Sequence, residues 1–256
     1  MLLAIDIGNT NIVCGLFRGP ELLAAWRLST DYHATVDELH LQLMGFMRLG
    51  GFEAGAVEGA ALACVVPPLC EPVSELCRRL GVEPLVVSAA SAGIPIRYDH
   101  PQEIGADRLV NGVAAWEKYR RALLVVDFGT ATTFDYVTAR GEYAGGIIAP
   151  GVVSAAEALF QKASRLPRAE IFSAPSRVIG RDTASGLNSG LVLGFAALVD
   201  GLVERARAEV GDLFVLATGG LAPYIAPHSR TIQVVEENLT LEGLRLIYER
   251  SHQDVG

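Results

Sequence analysis

One segment of this 256-residue chain occurs twice, and the spacing of the two copies constrains the fold more than any other feature. Leu2-Leu3-Ala4-Ile5-Asp6-Ile7-Gly8-Asn9-Thr10 returns 121 positions later as Leu123-Leu124-Val125-Val126-Asp127-Phe128-Gly129-Thr130-Ala131. Each copy is an apolar run ending in Asp, one hydrophobe, Gly and small polar residues, which is the pattern of a buried strand breaking into a tight turn. A carboxylate at the end of a buried strand is costly to desolvate unless a cation or donors meet it, and the following glycine lets backbone N–H groups approach an anion. Alone, either copy reads more readily as an Asp-Gly-type hairpin turn. Repetition at half the chain length favours two related halves whose turns clamp a polyphosphate and its cation.

The segments after each copy run in the same order. The pattern predicts strands over 2–7, 12–17 and 22–28, a helix over 35–49, a strand over 60–66 closed by Pro67-Pro68, a helix through Arg79 and a strand over 85–87. A further helix begins near Gly105. The second half repeats three strands (123–128, 132–137, 142–149), then helices over 151–164 and 183–209, a strand over 213–218 and a closing helix over 238–250. The expected domains are therefore residues 1–117 and 118–256, each α/β. Gly186, Gly190 and Gly194 recur every four residues along the 183–209 helix, a spacing suited to a close helix or subunit contact.

Charge and composition exclude several classes of function. A formal net charge of -8 gives no general attraction to nucleic acid or anionic membrane, so a phosphate ligand must be held by local geometry. Only Lys118 and Lys162 are lysines, and neither follows a glycine, so a Walker loop is absent. Cys14, Cys64, Cys70 and Cys77 form no C-x-x-C pair, and the five histidines show no metal-ligand pairing, so no structural zinc is expected. Asp6 interrupts the first apolar stretch, and the run from Leu191 to Val199 is short for a bilayer, so a soluble cytoplasmic protein is expected.

Five motifs, in order along nearly the whole chain, resemble type III pantothenate kinase. They are Asp6-Ile7-Gly8-Asn9-Thr10-Asn11, Gly105-Ala106-Asp107-Arg108, Asp127-Phe128-Gly129-Thr130-Ala131-Thr132-Thr133, Gly145-Gly146-Ile147-Ile148-Ala149-Pro150-Gly151 and Ala217-Thr218-Gly219-Gly220. Single Asp-x-Gly-Thr turns occur across the acetate and sugar kinase, Hsp70 and actin superfamily; Gly-Ala-Asp-Arg between two such turns is narrower. The resemblance implies two tandem RNase H-like domains of the actin-like ATPase type with a nucleotide cleft between them. It implies ATP-dependent phosphorylation of pantothenate to 4′-phosphopantothenate, the first step toward coenzyme A.

The same resemblance distributes roles. ATP contacts are expected over Asp6, Ile7, Gly8, Asn9, Thr10, Asn11, Ile12 and Val13, and at Thr130. Pantothenate contacts are expected at Tyr98, Gly105, Ala106, Asp107, Arg108 and Thr183, and a homodimer helps build that pocket. Asp127 matches the position that holds a monovalent cation, potassium or ammonium, and Mg2+ accompanies ATP with Asp6 the nearby carboxylate. Phosphoryl transfer needs positioning and charge neutralisation more than covalent help. Asp107, at the start of an apolar helix, is then the candidate general base, kept ionised by helix amides and Arg108. Read singly, Asp107 could be only a helix cap, Arg108 a salt-bridge partner, Tyr98 a packing residue and Thr183 a capping residue. Gly219-Gly220 suits a flat adenosine pocket or an ordinary turn. A sibling kinase with another acceptor, or an inactive regulatory protein of the same fold, are the competing functions.

Overall fold

Alternation sets the first sheet: Leu3, Ile5 and Ile7 fall on one face of their strand, Ala4 and Asp6 on the other. The computed structural model, which describes residues 1–162 and 175–253, makes this strand β1 (Leu2–Ile7). It pairs antiparallel with β2 (Asn11–Arg18), which pairs with β3 (Glu21–Ser29). On its other side β1 runs parallel to β4 (Gly59–Cys64), beyond which lies β5 (Pro84–Val86), so the order is β3-β2-β1-β4-β5. Helices α1 (Val36–Leu49) and α2 (Pro67–Arg79) carry Leu39, Leu43, Met47, Leu69, Val73 and Leu76 into one core with Leu3, Ile5 and Ile7. Thr35 and Glu38 form a capping box that starts α1. The strand expected over 60–66 stops at Cys64, because Pro67-Pro68 occupy the first positions of α2 and Val66 becomes its cap. Helix α3 (Ala106–Tyr119) completes this half.

The second sheet has the same plan. Central β6 (Leu123–Phe128) pairs antiparallel with β7 (Ala131–Val137), which pairs with β8 (Tyr143–Pro150). β9 (Phe214–Thr218) runs parallel to β6 on the other side and is followed by β10 (Val234–Val235), giving the order β10-β9-β6-β7-β8. Leu124, Val126, Phe128 and Phe134 share a core with Val152 and Ala156 of α4 (Val152–Lys162). Residues 163–164, included in the expected α4, lie outside the described residues.

The expected 183–209 helix is continuous but not uniform. It comprises α5 (Thr183–Asn188), a π-turn over Ser189–Leu193 and α6 (Gly194–Val210). By length and composition it is apolar enough to cross a bilayer. Its buried side chains, among them Leu191, Val192, Phe195, Val199 and Val203, instead fill the second core, as a core helix of a folded domain does. Asp200 on α6 accepts hydrogen bonds from Ser229 Oγ (2.7 Å), Arg230 N (3.0 Å) and Thr231 Oγ1 (2.8 Å), fixing the loop that leads from the short helix α7 (Ala222–Ile225) to β10.

The chain separates into two compact units, Met1–Lys118 with the segment from Leu239 onward, and Tyr119–Asn238. A division at residue 117/118 would give the closing helix α8 (Leu239–Gln253) to the second half; it packs instead on β1, β4 and β2 of the first. Leu241, Leu244 and Ile247 are buried there, and a side chain at Gly15 would come within 2.8 Å of Leu241. Thr240 donates to Asn111 Oδ1 (2.8 Å), tying α8 to α3.

Candidate active site

In the first unit the turn from β1 to β2 is closed by Gly8 N–H donating to the Asn11 carbonyl (3.0 Å). Asp6, the last but one residue of β1, stands opposite Val13 on β2 and Ala63 on β4. The chain after β3 holds this turn from outside: Thr30 Oγ1 donates to Gly8 O (2.6 Å), Thr30 N–H to Thr10 O (3.0 Å), and the Tyr32 hydroxyl to Asn9 Oδ1 (3.1 Å). Thr30 and Tyr32 are absent from the sequence-derived set because a latch 20 residues downstream has no local pattern.

Asp107 belongs to the same unit. A methyl group at Gly105 would lie 2.5 Å from Asp107 Oδ1 and 3.4 Å from Val65 Cγ1, so any larger residue would displace this carboxylate from its place at the helix start. Val65 N–H in turn donates to Ile7 O (3.1 Å). The end of β4 therefore links the Asp6 turn to the Gly105–Asp107 corner through one residue. Asp107 Oδ1 accepts the Arg108 N–H (2.8 Å). Burial raises its pKa and outweighs the opposing pull of that hydrogen bond and of the Arg108 charge. The amides and Arg108 lower the pKa, as expected of groups that favour the carboxylate, but desolvation of this partly buried carboxyl is the larger effect.

In the second unit the equivalent turn is one residue shorter, with Gly129 N–H donating to Ala131 O (3.0 Å). Asp127 stands opposite Thr133 and parallel to Thr218. Gly219 has φ +90°, and a side chain there would come within 2.5 Å of Asp127 Oδ1 and 2.7 Å of Phe128 O. The space at Gly219 is taken by the Asp127 carboxylate, which differs from the expectation of room left for a nucleoside. Thr130 O accepts from Ser154 Oγ on α4 (2.9 Å), and Gly151 lies directly against the Thr130 carbonyl. Among the described residues no group of three or more His, Cys, Asp or Glu side chains is placed to hold a metal ion.

The two sheets, each with a strand-end Asp followed by a glycine turn, are two tandem RNase H-like domains of the actin-like ATPase type. Solved structures share this fold. The activator of 2-hydroxyisocaproyl-CoA dehydratase from Clostridium difficile, solved with bound ADPNP, superposes with a TM-score of 0.61 at 11% identity, covering 100% of this chain and 98% of that one. Component A of (R)-2-hydroxyglutaryl-CoA dehydratase from Acidaminococcus fermentans gives 0.59 at 14% identity and 98% of each chain. At such identities these likenesses speak to fold alone. Sequence carries the comparison further: the family model for type III pantothenate kinase matches residues 2–205. The chain belongs to the type III pantothenate kinase family. Type III pantothenate kinase of Geobacter sulfurreducens is 51% identical over 256 residues, covering 99% of this chain and 100% of that one. That of Syntrophus aciditrophicus is 49% identical over 254 residues, covering 98% and 100%.

Within this type III pantothenate kinase fold, Asp6, Ile7, Gly8, Asn9, Thr10, Asn11, Ile12, Val13, Gly105, Ala106, Asp107 and Arg108 all lie in the first unit. Asp127 and Thr130 lie together in the second. Tyr98 is on the surface at 37% exposure, before the turn Pro101–Glu103. Thr183 is exposed on the first residue of α5, whose cap is Asp182, so its hydroxyl is not consumed in capping. Gly186, Gly190 and Gly194 are exposed, and a side chain at any of them would meet nothing within 4 Å.

Proposed function

We propose that the chain transfers the γ-phosphoryl group of ATP to the hydroxyl of pantothenate, giving 4′-phosphopantothenate, and that Asp107 receives the hydroxyl proton. The substrate oxygen attacks phosphorus, the bond to the β-phosphate oxygen breaks, and the proton passes to the Asp107 carboxylate. The observation that supports this best is the Val65 link, which seats the Asp107 corner against the end of β1 that carries the phosphate turn. A carboxylate whose pKa is raised by burial accepts a proton more strongly than an exposed one, as a base working near neutrality requires. Amides of Gly8 to Asn11 and of the Thr130 turn are proposed to bind phosphate. Arg108, Tyr98 and Thr183 are assigned to pantothenate.

Mg2+ enters with ATP, held mainly by phosphate oxygens, with Asp6 alongside. Asp127, with the Phe128 carbonyl close by, offers hard oxygen donors suited to potassium or ammonium. Such a cation would offset phosphate charge where no lysine is available. The open glycine face of α5 and α6 is assigned to a homodimer contact, and a cytoplasmic location suits an enzyme drawing on ATP.

A coupled ADP-release assay with pantothenate, with and without potassium, tests the reading. No turnover would favour a regulatory protein, and turnover only with another alcohol a sibling kinase. Asp107→Asn should retain ATP binding and lose at least about a hundredfold in kcat; near-wild-type turnover would remove Asp107 from the mechanism. The raised pKa also fixes a sign for stability. Ionised Asp107 costs the folded state, so Asp107→Asn should be more thermostable than wild type above that pKa, the gap narrowing as pH falls through it and closing below about pH 3, where Asp is protonated in both states.

A further inference from the structure

The turn from β1 to β2 meets the segment after β3 through its oxygen atoms. Gly8 O accepts from Thr30 Oγ1 (2.6 Å), Thr10 O from Thr30 N–H (3.0 Å), and Asn9 O from the Tyr32 hydroxyl (3.3 Å). The same hydroxyl reaches Asn9 Oδ1 (3.1 Å), so its one proton is offered only to acceptors. In a planar trans peptide the N–H points opposite to the preceding C=O. With three successive carbonyls drawn toward Thr30 and Tyr32, the N–H groups of Asn9, Thr10 and Asn11 face away from that segment. The Asn9 side chain repeats the arrangement: Oδ1 is held by Tyr32, while among the described residues Nδ2 donates to nothing, and the residue is exposed. The holding segment is itself braced. His33 N–H donates to Asp31 Oδ1 (2.9 Å) and Ala34 N–H to Asp31 O (3.1 Å), directly before the capping box of α1. Tyr32 thus stands 46% exposed on a closed turn, with its hydroxyl directed to Asn9 alone.

We propose that Tyr32 is a positioning residue for anion binding: by holding Asn9 Oδ1, it turns the Asn9 NH2 outward as a donor to phosphate at this turn. The inference rests on the phosphate-binding role proposed for Gly8 to Asn11 and adds what orients one of its donors. The terminal torsion of an asparagine is soft, and an unheld amide also samples the flipped state in which its oxygen, an acceptor only, faces the anion and repels it. Tyr32 removes that state, because its hydroxyl needs an acceptor and the NH2 group is none. The backbone of the turn does not depend on this contact. It is closed by Gly8 N–H to Asn11 O and held by Thr30, so loss of the Tyr32 hydroxyl removes the orientation of one side-chain donor and leaves the main-chain amides in place.

Calorimetric titration of the full-length protein with ATP, inorganic tripolyphosphate and adenosine tests this. Tyr32→Phe and Asn9→Ala should each weaken ATP and tripolyphosphate by about threefold to tenfold, with adenosine changed by less than about twofold. The double variant should bind within about twofold of Asn9→Ala, since Tyr32 then has no amide to orient. Asn9→Asp keeps an oxygen for Tyr32 but replaces the donor by an acceptor, and should bind tripolyphosphate at least as poorly as Asn9→Ala. Additive losses in the double variant would overturn the proposal, because Tyr32 would then act through the Asn9 carbonyl and not through the side chain. Wild-type affinity in Tyr32→Phe or in Asn9→Asp would overturn it as well. A wild-type protein that binds neither ATP nor tripolyphosphate would remove the phosphate role of the turn, and the proposal with it; missing coupling in a protein that binds ATP removes the proposal alone. None of these titrations requires turnover of pantothenate.

Discussion

The two sheets share a strand order and a strand-end carboxylate, yet they support the following turn by different means. In the first unit the Asp6 turn is latched from outside by Thr30 and Tyr32, and β4 ends beside it in Cys64. In the second the turn is one residue shorter and rests on Gly151 and Ser154 at the start of α4; where Cys64 would fall stands Gly219, pressed on the Asp127 carboxylate. The difference teaches that the duplicated segment specifies a strand and a carboxylate, while the surroundings decide what each carboxylate can do. A side chain beside Asp6 is tolerated. Beside Asp127 the carboxylate leaves room only for glycine, so the second tip is the tighter of the two.

The largest test of this contrast is Gly219→Ala beside Cys64→Ala. The first meets both a backbone at φ +90° and a contact with Asp127, and should cost about 2–4 kcal/mol in a urea titration together with about a hundredfold in kcat/KM. The second removes one partly buried sulfur and should cost about 1 kcal/mol. Equal costs would break the distinction between the tips.

Next in size is Asp200→Ala in the second unit, which strands donors from Ser229, Arg230 and Thr231; chemical denaturation should register a loss of about 3 kcal/mol. Burial pushes the Asp200 carboxyl up, but those hydrogen bonds outweigh it and leave the pKa lowered. Its contribution is therefore present above about pH 4 and lost as pH falls through the folded value. The stability gap between wild type and Asp200→Asn should narrow in acid; a constant gap would mean that ionisation is not what holds the loop.

Smallest is the latch. Thr30→Val and Tyr32→Phe should raise KM for ATP by about threefold to tenfold with kcat nearly unchanged, since each removes one hydrogen bond to a turn still closed by its backbone. Ser154→Ala, the corresponding change at the shorter turn, should have less effect because Gly151 still packs against Thr130. A larger effect of Ser154→Ala would invert the contrast.

Much of the fold was legible because its signals are local. Alternating apolar residues marked β1 and β6, and glycine turns marked their ends, to within a residue of the observed bounds. β10 was not legible: two residues of strand have no period, and only parallel pairing with β9 defines them. The end of β4 was misjudged by two residues because Val65 and Val66 have β-propensity but precede two prolines that start α2. Asp6, Asp107 and Asp127 were nominated from motif order, whereas Thr30, Tyr32, Val65 and Ser154, which support the turns beside them, make contacts with residues distant in the chain. Nor could the direction of the Asp107 shift be read, since helix amides and Arg108 are visible in sequence and the enclosure that outweighs them is not.

The amino-acid sequence by itself determined the duplication, the strand-end carboxylates and the kinase family, because each depends on residue types at short, fixed spacings. Tertiary structure alone decided that α8 covers the first sheet, that Gly105 and Gly219 make room for carboxylates, and that Val65 joins the proposed base to the Asp6 turn. Those are matters of which distant surfaces meet. Close packing settles them through volumes and desolvation that no local pattern encodes.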